Sequence, residues 1–84
     1  MAYEYQYTNR ALKQIQKLDF VVRKRIDKTL VRNLADPYRH AERLLDPELG
    51  TFKFRIGDYR VFFDIVGECI IVLKAGHRRD VYNK

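Results

Sequence analysis

Lys53, Arg55 and Arg60 have the residue types and spacing to hold a phosphate group. They flank Gly57-Asp58, which reads as a two-residue hairpin loop of the glycine-first, type II′ kind. Such a loop fixes register. Ile56 then opposes Tyr59, and Arg55 opposes Arg60. Strand alternation puts Phe52, Phe54, Ile56, Tyr59, Val61, Phe63 and Ile65 on a core face. It puts Thr51, Lys53, Arg55, Arg60, Phe62 and Asp64 on the other face. Directly opposed like charges destabilise a sheet by about a few tenths of a kcal/mol or more. No acid is expected on that face before Asp64. Cations so crowded favour an anion, and they disfavour a second charge on a neighbouring lysine, which fits it to accept a proton.

The segment Gly76-His77-Arg78-Arg79-Asp80-Val81-Tyr82 adds to this patch. It is expected to leave the last strand at Gly76, where glycine permits a sharp turn. Arg78 offers a planar fork for a phosphate. Tyr82 offers a ring on which a base can stack, and His77 a titratable group. Together these residues suit cleavage of RNA by its own 2′-hydroxyl. That reaction needs a base for the 2′ proton, cations for the pentacoordinate phosphorane and a donor to the leaving 5′ oxygen. Lys53 and His77 both stand as candidates for the base. No metal or other cofactor is expected: one cysteine (Cys69) and two histidines make neither a zinc site nor an internal disulfide.

The elements that must position these groups follow from periodicity. Residues 3–7, Tyr-Glu-Tyr-Gln-Tyr, alternate as a strand. Thr8 can cap a helix whose inner face is Ala11, Leu12, Ile15 and Leu18 and whose outer face is Arg10, Lys13 and Lys17. Asp19 can cap a second, with Val22, Ile26, Thr29, Leu30 and Asn33 inward and Lys24, Arg25, Lys28 and Arg32 outward; Asp36-Pro37 ends it. Pro47 and Gly50 bracket a turn with Leu44-Leu45 tucked beneath. Three strands follow at 51–56, 59–65 and 69–75, the last apolar on both faces as an interior strand is. The order β-α-α-β-β-β predicts an α+β fold, a helical hairpin on one face of a mainly antiparallel four-stranded sheet.

Eighty-four residues (1–84) are enough for one domain, burying roughly 60% of the surface of the unfolded chain. Hydrophobic residues at 46% and charged residues at 33% exclude a disordered composition. No apolar run approaches the roughly 20 residues of a membrane span, and the start MAYEYQY lacks the apolar core of a signal peptide, so a cytoplasmic protein is expected. The net charge is +6, with ten Lys/Arg against seven Asp/Glu in residues 1–50 and seven against four in 51–84. The excess is thus spread over the folded body, and polyanions or acidic proteins are the expected partners.

Three segments resemble one family: "RALKQIQKL" at 10–18, "FKFRIGDYRVFF" at 52–63 and "LKAGHRRDVY" at 73–82. Across nearly its whole length the chain resembles RelE-type toxins of the RelE/ParE superfamily, found in type II toxin–antitoxin systems. The resemblance implies a RelE-like fold and an mRNA interferase that enters the ribosomal A site, cuts the exposed codon without metal and is neutralised by a RelB-type antitoxin. It places the family's site residues on Lys53, Arg55, Arg60, Arg78 and Tyr82. On this reading Arg10, Lys13, Lys17, Lys24, Arg25, Lys28 and Arg32 contact ribosomal RNA phosphates; as plain solvated helix faces they need no partner. Arg55 stands where the best-known members have lysine, and the stretch between Arg78 and Tyr82 is shorter than theirs. Two alternatives share the fold: a ParE-like gyrase inhibitor, and a non-enzymatic module that binds RNA or antitoxin.

Overall fold

Thr8 turns the chain from strand to helix: its Oγ1 accepts the Ala11 N–H at 3.1 Å while its own N–H donates to Val72 O at 3.0 Å. A computed structural model describes residues 3–46, 48 and 50–82. β1 (Glu4–Tyr7) leads into α1 (Asn9–Gln16) and α2 (Phe20–Asn33), then a one-turn α3 (Pro37–His40) and β2 (Glu42–Arg43). β3 (Phe52–Ile56), β4 (Tyr59–Val66) and β5 (Cys69–His77) follow, and α4 (Arg78–Val81) is the last element. The sheet has the order β1-β5-β4-β3-β2, with β1 parallel to β5 and the other pairs antiparallel.

The α+β class and the helical hairpin stand as the sequence predicts, but the sheet has five strands, not four. β2 is only two residues long, too short to show a period. Ala11 and Ile15 of α1 and Ile26 and Leu30 of α2 pack on Phe54, Ile56, Val61, Phe63, Ile70, Val72 and Ala75. Leu12, expected inside, is 41% exposed, and Leu45, expected beneath a turn, is 99% exposed. Pro47 lies outside the described residues. Asp19 stands at the start of α2 without making a side-chain cap. The strand does not end at Gly76: it runs to His77, and a Cβ at Gly76 would meet only ordinary contact, 3.7 Å from Val81.

Two features of β5 bear on function. A register shift between Phe62 and Phe63 pairs Phe62 with Lys74 and Phe63 with Val72, leaving Leu73 as the extra residue of a bulge. Past the end of β1, α1 covers the edge of β5, and Gln14 Oε1 accepts the Ala75 N–H at 2.9 Å. On the other flank the Tyr7 hydroxyl donates to Asp27 Oδ1 at 2.8 Å, tying β1 to α2. Among the described residues no helix is long and apolar enough to cross a membrane.

Gln14→Leu removes the acceptor of the buried Ala75 N–H, and an unsatisfied buried donor costs about 1–3 kcal/mol. Urea unfolding of this variant is expected to show a loss in that range; an unchanged midpoint would mean that the edge needs no such cap.

Candidate active site

The face of the sheet turned away from α1 and α2 carries two cross-strand rows. Lys53, Phe62 and Lys74 form one, across β3, β4 and β5. Arg55, Arg60 and Gly76 form the next. This face is not a solvated one: Phe62 is fully buried, Arg60 is 7% exposed and Lys74 is 6% exposed. α4 helps to cover it, bringing the Tyr82 ring onto Phe62 with centroids 5.4 Å apart.

The opposition of Arg55 and Arg60 is real, and the two side chains relieve it by parting. Arg60 folds back on the hairpin, donating from one terminal nitrogen to Gly57 O and Tyr59 O, each at 2.8 Å. Arg55 swings to the edge, where its Nε lies 3.0 Å from Glu42 Oε2. The expectation of no acid before Asp64 therefore fails, because β2 brings Glu42 opposite Lys53. Asp64 itself accepts the Thr51 N–H at 2.8 Å.

Lys53 Nζ donates to the Tyr82 hydroxyl at 3.0 Å and lies 5.5 Å from the centre of its ring. This hydrogen bond lowers the Tyr82 pKa below the ordinary phenol value; burial opposes the shift, and the Lys53 charge and the nearby Arg60 add to it. Lys53 and Tyr82 also line a pocket of about 390 Å³ with Arg43, Leu44, Leu45 and Asp46. Arg78 opens α4 and Tyr82, four residues on, caps its C-terminal end. The Arg78 N–H donates to Asp58 O at 2.7 Å, and its Nε lies 3.9 Å from Asp58 Oδ1, fastening α4 to the hairpin loop.

His77 is placed apart from this group. It pairs with Tyr59 in register and its ring meets that of Tyr59 edge-on at 5.3 Å, on the side of the sheet that carries the core. His77 Nδ1 accepts the Arg79 N–H at 3.0 Å, which commits that nitrogen to capping α4. Nothing in the sequence singles out Lys74, which stands in an otherwise apolar strand. Burial, then the charge of Arg10, lowers its pKa. Of the outward helix cations, Arg25 turns in: an added Cβ at Gly57 would lie 2.9 Å from both of its terminal nitrogens.

Residues 5–82 match the family model described as ParE toxin of the type II toxin–antitoxin system parDE. The mRNA interferase toxin RelE of Escherichia coli (strain K12) and mRNA interferase RelE of Shigella flexneri are each 33% identical over 89 aligned positions, covering all of this chain and 94% of theirs. The chain therefore belongs to the RelE/ParE superfamily of type II toxin–antitoxin toxins, with relatives in its RelE branch.

Among solved structures, free E. coli toxin RelE, in a mutant form, matches with a TM-score of 0.75 at 28% identity, over 92% of this chain and 84% of that one. The toxin of the intact E. coli RelBE complex matches at 0.72 and 27%, over 90% and 96%. The Mycobacterium tuberculosis RelBE2 toxin–antitoxin complex contains a chain of the same fold, with a TM-score of 0.82 at 23% identity, over 93% and 100%.

Tyr82 is expected to ionise before the tyrosines whose pKa burial and Asp27 raise, Tyr5 and Tyr7. Because its folded pKa lies below the unfolded one, near 10, the shift adds stability above that value. The gain is lost as pH falls through the folded pKa, and below it nothing is contributed. In an alkaline absorbance titration, Tyr82→Phe should delete the earliest tyrosinate component and Lys53→Met should move it up. Persistence of that component in Tyr82→Phe would contradict the assignment.

Proposed function

We propose that this protein is a cytoplasmic endoribonuclease that cuts mRNA in the ribosomal A site and is neutralised by a RelB-type antitoxin. The observation that carries the reading is the Lys53–Tyr82 hydrogen bond, set beside Arg60 and within one helical turn of Arg78. The two curated relatives are named as mRNA interferases, and RelBE complexes share the fold. The phenolate of Tyr82, which Lys53 and then Arg60 favour, is a proton acceptor. It takes the 2′ proton and becomes the phenol, and Lys53 and Arg60 act through it. The 2′ oxygen attacks phosphorus and the bond to the 5′ oxygen breaks. Arg78 stabilises the charge that builds on the phosphorane, and the leaving oxygen takes a proton from water. This assigns to Tyr82 its hydroxyl chemistry in place of base stacking, since the ring already lies on Phe62. The pocket walled by the exposed Leu45 and by Arg43 receives the nucleotide.

The outer cations of α1, Arg10, Lys13 and Lys17, dock the protein on ribosomal RNA, as do those of α2. Docking supplies the orientation that so open a site does not give by itself, so free RNA is a poor substrate.

The test is primer extension on programmed ribosomes with the purified protein. Cleavage is expected within the A-site codon, leaving a 2′,3′-cyclic or 3′-phosphate and a 5′-hydroxyl. Because the reacting groups are phenol, amine and guanidinium, EDTA added to salt-stabilised ribosomes should not slow it. The ParE description of the matching family model gives the contrary outcome its form: inhibition of gyrase supercoiling with mRNA left intact would overturn the reading, as would a 5′-phosphate product.

A further inference from the structure

His77 joins the last strand to α4. It ends β5 in extended backbone, and its Nδ1 closes the first turn of α4 by accepting the Arg79 N–H at 3.0 Å. Helices are ordinarily capped in this way by Ser, Thr, Asn or Asp, whose oxygens accept throughout the neutral range. Imidazole differs. Its Nδ1 accepts only while bare, and once protonated it becomes a donor aimed at the N–H it held. That change ordinarily falls between about pH 5 and 8. His77 is half-buried and lines a cavity of about 520 Å³, so water reaches it. The groups that face it there are Lys17 of α1, Tyr59 of β4, Lys74 of β5, and Arg79 and Asp80 of α4. Asp58 of the hairpin loop is turned to Arg78. A charged ring would thus stand with three cations and one acid, which favours release of the turn over closure. Besides the cap, the Arg78 N–H bond to Asp58 O at 2.7 Å and the buried Val81 hold α4 down. The far end of this single turn carries Tyr82, which lies on Phe62 and accepts from Lys53.

We propose that His77 is the positioning residue of Tyr82 and makes that placement sensitive to protons. With Nδ1 bare, the cap closes α4 and Tyr82 stays within reach of Lys53. A proton on Nδ1 breaks the cap, and α4 opens from the hairpin loop. The bond favours the unprotonated ring, so the hold is present above the imidazole titration and is lost as pH falls through it. The edge-on contact of His77 with Tyr59 asks only for a ring, so substitution can separate it from the cap. His77 touches no reacting atom and acts on the reaction through Tyr82. That consequence for cleavage rests on the reading of Tyr82 as the proton acceptor; the cap itself does not.

The experiment is amide hydrogen exchange by NMR on the full chain, from about pH 5 to about pH 8. Each rate is corrected for intrinsic exchange at its pH, and the His77 ring is followed by its Cε1 proton. In the wild type, protection of the Arg78, Arg79 and Tyr82 amides is expected to fall together, by roughly 2- to 30-fold, as the ring titrates; this is the range of a lost N-cap. The Thr8 amide, bonded to Val72 O before α1, should keep its protection. His77→Asn supplies a cap oxygen that does not titrate, and should hold the three amides at the wild-type upper level across the range. His77→Phe keeps a ring against Tyr59 but offers no acceptor, and should give the lower level at every pH. Arg78 and Tyr82 protection that stays flat while the wild-type ring titrates would overturn the proposal. So would a pH-dependent loss in His77→Asn, full protection in His77→Phe, or a Thr8 loss as large as that of Arg78. The readout needs no substrate, so a wild-type protein that fails to cut on ribosomes contradicts the reaction and leaves the cap to its own result.

Discussion

Three arginines from three parts of the chain converge on the two-residue loop Gly57-Asp58. Arg60 donates to Gly57 O, the Arg25 guanidinium covers Gly57 where a side chain would stand, and the Arg78 N–H donates to Asp58 O. The loop sets the hairpin register, and the register sets Arg55 against Arg60. The parting of that pair distributes charge over the molecule: one cation goes inward beneath Tyr82, the other outward to Glu42. The same loop anchors the first residue of α4, and so sets where Tyr82 comes down on the sheet. Site and terminal helix thus share one support.

What α4 adds is a cover over Phe62, which is fully buried beneath the Tyr82 ring. Tyr82 itself stays 42% exposed, so Lys53 acts on its hydroxyl through a direct hydrogen bond, with Arg60 nearby, and not through a dry site. The tyrosine shifts have opposite signs. Burial raises the Tyr7 pKa and its hydrogen bond to the Asp27 carboxylate raises it further, whereas Tyr82 accepts from Lys53 and holds its proton less tightly.

The hairpin is legible in the sequence because a glycine-first loop and strict alternation leave a single register, and both helices are legible from their apolar stripes. Other features depend on interactions that no local pattern carries. β2 has two residues, yet it supplies the acid that holds Arg55. α4 is a single turn, so the burial of the far face beneath it leaves no periodic mark, and neither does the engagement of the Tyr82 hydroxyl. The bulge at Leu73 moves Lys74 onto that face, against the simple alternation of an interior strand. His77 is a candidate base by its type alone; its register partner Tyr59 and its bond to the Arg79 N–H turn it to other work, capping α4.

The central claim is that Lys53 and Tyr82 act as one unit on the 2′ proton. A double-mutant cycle on single-turnover A-site cleavage, with Lys53→Met, Tyr82→Phe and the pair combined, tests it most directly. The account predicts that Tyr82→Phe alone slows cleavage by about 10²–10⁴-fold, the range of a lost general base. It also predicts that the double variant is little slower than the worse single one. A mild Tyr82→Phe effect, or losses that simply multiply in the double variant, would contradict it.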